Sequence, residues 1–442
     1  MTASVRRAGA FAALSTLSLA APLFGPVPAA TVAAAALLVA LAVTDGPLFD
    51  LFAFPSDYED GRLYGLLTFV LAAATLGLVA TRWPTMDLGI FVGTVLLIGY
   101  GVLAERVVAG RTDADVPPVA AFTVVGLLAA VGGQAASRAL VGAPIESALP
   151  EIVFLAASGA LLAALLRDVL ISYDDPIVML AVGLVLWLLA ALEPAIGTTG
   201  IALALAVTVA MGSISYVLGA ASVTGMLTGT LLALLTIVLG GYDWFAVLIS
   251  FFAIGSLSTK IRYEEKADRG VAEDNDGARG GGNVLGNSAV ALAAVVGYAA
   301  SSAGFVPGAA DLFLFAFAGS VATAMSDTLS SEIGGIFDSP RLITTLEPVE
   351  PGTDGGVTWQ GELAGLAGAS VVAAICYAFF PEVDAAAAAV VVAAGVVGMT
   401  VDSILGATLE GSVLGNQGVN FLATLAGAFA CALLVLSAAM LG

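Results

Sequence analysis

One stretch concentrates the residue types that do chemistry: Ser326-Asp327-Thr328-Leu329-Ser330-Ser331-Glu332-Ile333-Gly334. It closes the apolar run from Leu312 to Met325 and then turns polar at once. Read as a helix, Asp327, Ser330 and Ser331 fall about one turn apart on neighbouring faces, and Glu332 continues the turn. Carboxylates at the end of a membrane helix are costly to desolvate. They call for a partner such as a cation, a metal or a substrate path. A polar helix end meeting water is the plainer explanation, and the rest of the chain weighs against it.

Further polar residues gather at the same predicted membrane face: Lys260, Arg279, Asn287, Arg341, Asp402, Glu410 and Asn416. Carboxylates from separate helices offer oxygen ligands to Mg²⁺, and Arg and Lys from two loops offer a clamp for phosphates. The run Gly280-Gly281-Gly282-Asn283 leads into a helix N-terminus, whose backbone N–H groups suit an anion. It is not a nucleotide-binding P-loop, and glycine pairs also mark simple flexible turns. The chain has no His, which excludes imidazole bases, His metal ligands and Ser-His-Asp triads. Its two cysteines, Cys376 and Cys431, sit in apolar runs and read as core residues. Phosphoryl transfer needs positioning and charge neutralisation more than covalent chemistry. An acceptor that is already a phosphate monoester needs little help from a base, so a site without His suits it better than an alcohol.

The elements that must hold these residues are membrane helices. Of 442 residues, 60% are hydrophobic and 11% charged. Apolar runs near membrane length recur from end to end. We expect an all-α, polytopic integral membrane protein of about 15 spans, centred near residues 15, 36, 72, 96, 127, 158, 184, 205, 227, 249, 294, 318, 370, 396 and 430. A cytoplasmic N-terminus places most Arg and Lys inside and leaves only Arg82 and Arg138 outside, as the positive-inside rule asks. The candidate site then lies on the cytoplasmic face of the cell membrane. Arg6-Arg7 followed by Ala8 to Ala21 resembles a signal peptide; a second apolar run, Val27 to Val43, favours a retained helical hairpin. Net charge is −20 and Lys occurs only at Lys260 and Lys266, a composition suggesting a salt-adapted organism such as a haloarchaeon.

Two regions are expected. Residues 1–213 are spans joined by short acidic loops without a spaced chemical motif. Residues 214–442 carry two longer loops, 259–283 and 334–358, the first with the acidic run Glu273-Asp274-Asn275-Asp276. A faint internal repeat runs through the second region. Thr224-Gly225 and Gly361-Glu362 open helix pairs, and Asn287-Ser288-Ala289-Val290 matches Asn416-Gln417-Gly418-Val419. Four spans separate the copies, so they run parallel. A transporter would bury its polar residues mid-span, and a scaffold would not need Arg341 near two carboxylates. An enzyme fits better than either.

At these residues the chain resembles the integral membrane family of domain of unknown function 92, which includes eukaryotic transmembrane protein 19 and the plant plastid phytyl-phosphate kinase. The resemblance is carried in order by Gly255-Ser256-Leu257-Ser258-Thr259-Lys260, Asn283-Val284-Leu285-Gly286-Asn287 and Ala324 to Gly334. It continues through Pro340-Arg341-Leu342-Ile343-Thr344-Thr345, Pro351 to Val357, Asp402-Ser403-Ile404-Leu405-Gly406-Ala407, Asn416 and Val419-Asn420. It covers roughly residues 215 to 442. It implies a transferase that turns a polyprenyl monophosphate, phytyl or geranylgeranyl, into the diphosphate at the expense of a nucleoside triphosphate, with CTP as the expected donor. The acidic run and three glycines around Arg279 stand where the resemblance leads one to expect a more basic stretch.

The expected roles are these. Asp327, Glu332 and Asp402 hold Mg²⁺; Lys260, Arg279 and Arg341 bind phosphates; Asn283, Asn287, Asn416 and Asn420 orient them. The partners are the prenyl-phosphate lipid, the nucleotide and the bilayer, with no nucleic acid. The same parts would serve a CTP-dependent cytidylyltransferase making a CDP-lipid, and a membrane transporter is the other alternative.

Overall fold

Inside a bilayer no water is left to bond a bare backbone, and helices satisfy every N–H and C=O internally. The computed structural model describes residues 2–82, 86–169, 175–270, 278–307 and 310–441, and it is almost wholly helical. The acidic run Glu273 to Asp276 lies outside the described residues. Twelve described helices are long and apolar enough to cross a membrane, or thirteen if a pair bent by 108° within 30–52 counts as one span. Two shorter apolar helices, Asp175–Ala191 and Val223–Leu239, bring the total to the predicted fifteen only if they too cross. Large apolar side chains such as Leu257, Leu363, Tyr377, Ile404 and Phe429 point outward and are exposed, as on a lipid-facing surface. The chain is an integral, multi-pass membrane protein.

The chain divides into two compact units, Met1–Leu203 and Ala204–Gly442. Unit 1 contains α1 (Ala3–Ser15), α2 (Ala20–Phe24), α3 (Pro26–Ala42), α4 (Gly46–Phe52), α5 (Asp57–Asp60), α6 (Tyr64–Arg82), α7 (Leu88–Ala109), α8 (Val116–Leu140), α9 (Leu149–Val169) and α10 (Asp175–Ala191). Its most extensive seam is α7 on α8. A Cβ on Gly133 would lie 2.7 Å from Leu96, and one on Gly93 would lie 2.9 Å from Gln134. Small residues thus let the two backbones close up.

The division falls within α11 (Thr198–Val217). Unit 2 continues with α12 (Val223–Leu239), α13 (Tyr242–Lys260), the short α14 (Tyr263–Asp268), α15 (Gly281–Ser302) and α16 (Ala310–Gly334). A two-stranded antiparallel hairpin follows, β1 (Arg341–Leu342) and β2 (Gly356–Val357), an addition to the all-α expectation. The chain ends in α17 (Trp359–Phe379), α18 (Ala385–Leu409) and α19 (Asn416–Leu441).

α16 is the axis of unit 2, packed by α13, α15, α17, α18 and α19. Glycines at the right heights make this possible. Gly361, Gly365 and Gly368 of α17 approach the Ser330, Ser326 and Met325 carbonyls of α16, where a Cβ would lie 2.7, 2.9 and 3.0 Å away. Gly398 of α18 and Gly427 of α19 both press on Thr323. At one end of the unit Trp244 packs against Tyr298, Phe317 and Phe380. The other end, where α13, α16 and α18 finish and α12, α15, α17 and α19 begin, carries the polar residues.

The predicted repeat takes physical form as α12–α13–α15 and α17–α18–α19. Each opens on a hydroxyl cap three residues before a glycine: Gly225 N–H donates to Ser222 Oγ at 3.1 Å, and Gly361 N–H to Thr358 Oγ1 at 3.2 Å. Each closes on a helix that starts with a hydrogen-bonded Asn pair four residues apart. Asn287 Nδ2 donates to the Asn283 carbonyl at 3.0 Å, and Asn420 Nδ2 to Asn416 Oδ1 at 3.0 Å. The register therefore matches Asn283 with Asn416 and Asn287 with Asn420. The sequence spacing pairs Asn287 with Asn416 through the apolar residues that follow each Asn, and the hydrogen-bonded Asn pairs favour the match shifted by four.

Candidate active site

The last turns of α16 and α18 bring Asp327 and Asp402 side by side. The two carboxyl groups lie within hydrogen-bonding reach of each other, and Asp327 also meets the Ser331 hydroxyl one turn on. Oδ1 of Asp402 is buried with no hydrogen-bond partner. Two ionised carboxylates repel at this range, so the pair asks for a bridging proton or cation.

Arg279 supplies positive charge from the other side. Its guanidinium acts on Asp327 across the site, lies over the Phe251 ring at 5.3 Å and is buried, 5% exposed. Local structure locks it there. Arg279 N–H donates to the Ala220 carbonyl at 3.0 Å, and its own carbonyl accepts from Ser222 N–H at 3.1 Å. Two glycines give it room: a Cβ on Gly225 would sit 2.1 Å from the Arg279 carbonyl oxygen, and one on Gly255 would sit 2.9 Å from Nη2.

Glu332 is near enough to act on the Asp327 carboxyl electrostatically, but its own oxygens are taken up by other partners. It forms an ion pair with Lys266 and accepts from Thr259 Oγ1 at 2.9 Å. Lys266 is 1% exposed and also donates to the Thr259 and Ser258 carbonyls at 2.8 and 3.3 Å. Those carbonyls end α13, where a cation satisfies open acceptors and the helix dipole together. Arg262, in the left-handed region at φ 50°, turns the chain back so that α14 can deliver Lys266. Glu332 is thus a brace between α13 and α16. Among the described residues no group of three acidic or cysteine side chains is gathered to hold a metal, so the expected set of Asp327, Glu332 and Asp402 does not come together.

Two predicted phosphate-binding cations also lie apart from the carboxylate pair. Lys260 is exposed and donates to the Leu218 carbonyl at 2.7 Å, closing the end of α11. Arg341 is exposed in the hairpin and donates to the Leu346 carbonyl at 2.6 Å. Each is held by a nearby carbonyl, and no salt bridge joins either to Asp327 or Asp402 among the described residues. The hairpin loop itself does reach α18, since a Cβ on Gly355 would lie 2.5 Å from the Ser403 carbonyl oxygen.

The Asn pairs stand on two parallel helix starts. α15 and α19 touch near their starts, where Gly286 in the second turn of α15 packs directly on the Gln417 backbone. Four amide side chains and two sets of open helix N–H groups therefore meet at this end of the unit.

A family model described as integral membrane protein DUF92 matches residues 206–428, half of the chain. The chain belongs to the DUF92 family. It is similar to the uncharacterised membrane protein MJ0933 of Methanocaldococcus jannaschii, 32% identical over 46% of this chain and 81% of that protein. It is similar to protein VTE6, chloroplastic, of Arabidopsis thaliana, 34% identical over 43% of this chain and 56% of that protein. Protein PGR of the same plant is 32% identical over 43% of this chain and 80% of its own length. No solved structure matches.

In this DUF92 unit the Asp327–Asp402 pair, with one orphaned buried oxygen, has carboxylate oxygens of the kind a hard divalent cation would take. Lys266 and Glu410 went unassigned in the sequence. Lys266 reads as one charge in a dense loop, and only its burial marks it. Glu410 caps α18 and carries a carboxyl raised above its ordinary value by burial and by the neighbouring Asp354 and Asp327 carboxylates.

Proposed function

We propose that this protein is a magnesium-dependent phosphotransferase that converts a polyprenyl monophosphate, phytyl or geranylgeranyl, into its diphosphate with a nucleoside triphosphate, CTP foremost. The observation that carries the reading is the buried Asp327–Asp402 pair facing Arg279, at a bundle end built from two parallel Asn-led helix starts. Family membership supports it, as does the resemblance to a family that includes a plant plastid phytyl-phosphate kinase.

Asp327 and Asp402 would hold the cation, whose chemistry is to bridge and neutralise phosphate oxygens. Arg279 is fixed by its backbone and by the two glycines, so its charge is in place before substrate arrives, and it withdraws electron density from a phosphate beside Asp327. The Asn283–Asn287 and Asn416–Asn420 pairs orient the remaining oxygens. A terminal oxygen of the prenyl phosphate attacks the γ-phosphorus of the nucleotide. The bond to the β-phosphate oxygen breaks, and a nucleoside diphosphate leaves. No general base is required, which agrees with a chain lacking His. The tail fits the groove between α17 and α18, whose wall is apolar through Trp359, Leu363, Leu366, Val396 and Met399 apart from the Glu362 carboxyl, with Met399 one turn from Asp402. By the positive-inside rule the site opens on the cytoplasmic face of the cell membrane.

Product analysis tests the reading. Detergent-purified protein with Mg²⁺, labelled CTP and geranylgeranyl phosphate should yield CDP and the prenyl diphosphate. Release of pyrophosphate with a CDP-lipid would make it a cytidylyltransferase instead.

A further inference from the structure

Unit 1 contains a built cavity outside the family match. It encloses about 270 Å³ where α1, α6 and α10 begin and α7 and α9 end. Two kinds of wall meet there. One is apolar, with Phe11, Phe69, Ile98 and Val102, and Phe11 and Phe69 stack edge to face at 5.1 Å. The other is ionic: three guanidiniums, Arg7, Arg106 and Arg167, stand against two carboxylates, Glu105 and Asp175.

The ionic wall is organised. Arg167 donates to Glu105 at 2.7 Å and pairs with Asp175 through its other nitrogen, while its guanidinium lies 5.0 Å from the Phe122 ring centroid. Arg7 donates to the Ala53 carbonyl at 2.8 Å and lies 4.3 Å from the Phe54 ring centroid. That ring is seated on bare backbone, since a Cβ on Gly65 would meet it at 2.3 Å. Arg106 is exposed at the mouth, close enough to repel Arg167. An excess of positive charge in a chain of net charge −20 is a local exception, and a planar guanidinium fork matches a phosphate or carboxylate.

We propose that this cavity binds a phosphate group, carried on an apolar tail that lies along Phe11, Phe69 and Val102. The headgroup is met at the mouth by Arg106 and Arg7. Arg167 is neutralised by Glu105 and Asp175 and fixes the wall behind them, so the charge that meets the phosphate comes from Arg106 and Arg7. A one-chain lipid phosphate has both parts, whereas free phosphate has only the first. Unit 1 is then a lipid-phosphate-binding module in its own right, independent of the chemistry proposed for unit 2.

The test uses the full-length protein in detergent with dodecyl phosphate bearing a photoreactive diazirine on the tail, followed by peptide mapping. Cross-links are expected on the segments around Phe11, Phe69 and Ile98–Val102. Excess dodecyl phosphate should suppress them, and inorganic phosphate or dodecanol should not. Arg106→Gln, an exposed substitution, should cut labelling about tenfold while Arg106→Lys keeps part of it. Asp327→Asn should leave labelling of these segments unchanged, which separates this site from unit 2. Equal labelling by a dodecanol probe, competition by inorganic phosphate alone, or full labelling of Arg106→Gln would overturn the proposal.

Discussion

The carboxyl groups of Asp327 on α16 and Asp402 on α18 meet each other across a helix interface, and Oδ1 of Asp402 is buried without a protein partner. A purely structural pair of this kind would carry a cost with no return. Asp402→Asn replaces repulsion with an amide that can donate to Asp327. Transfer should fall by at least a hundredfold while the thermal midpoint holds or rises. Parallel activity and melting measurements check this; a variant that loses both together would make Asp402 a folding residue.

The Lys266–Glu332 pair should behave in the opposite way. Lys266 is buried, 1% exposed, and Glu332 largely so at 11%, so removing one partner strands the other. Lys266→Met should cost about 3–5 kcal/mol. The double variant Lys266→Met, Glu332→Gln should recover most of that and keep activity. Thermal unfolding of the two singles and the double reads the coupling directly.

These two cases show what the sequence could and could not reveal. Length, hydropathy and the order of the motifs were enough for a helical membrane bundle with its polar residues at one end, because apolar run length is a local property. Asp327 and Asp402 stand out in the sequence as acids at the ends of apolar runs, and the fold puts them side by side. Glu332 was not, because its partner lies 66 residues earlier and depends on a turn at Arg262. Lys260 and Arg341 have the charge a phosphate ligand needs, and the sequence could not show that each is held by a nearby carbonyl. The repeat has two candidate registers because Asn287 and Asn416 share their downstream apolar spacing, while the hydrogen-bonded Asn pairs align Asn283 with Asn416.

Arg279 depends on two glycines for its place. Gly255→Ala would bring a methyl to 2.9 Å from Nη2, at the flexible end of the side chain. Gly225→Ala would bring one to 2.1 Å from a backbone carbonyl oxygen, which cannot swing aside. Gly225→Ala should therefore destabilise by about 1–3 kcal/mol, and Gly255→Ala by less. Gly255→Ala should still impair transfer through the displaced guanidinium, raising the KM for nucleotide or prenyl phosphate. Normal kinetics in Gly255→Ala would remove Arg279 from the site.

Glu410 gives a pH prediction. Its folded carboxyl is raised above the ordinary 4.5 by burial and by Asp354 and Asp327. The folded state then holds its proton more tightly than the unfolded state, so stability is lost as pH rises from 4.5 through the raised value. Glu410→Gln should abolish that decline and melt higher than the parent at neutral pH. Melting curves of both proteins from pH 4 to 8 (about four units) check the sign.

The most direct measurement is transfer itself, in parent protein and Asp327→Asn side by side, with Mg²⁺, labelled CTP and geranylgeranyl or phytyl phosphate. The account predicts prenyl diphosphate and CDP from the parent and none from Asp327→Asn, with both proteins folded in detergent. Undiminished transfer by Asp327→Asn, or no turnover of any nucleotide and prenyl phosphate by the folded parent, would contradict it.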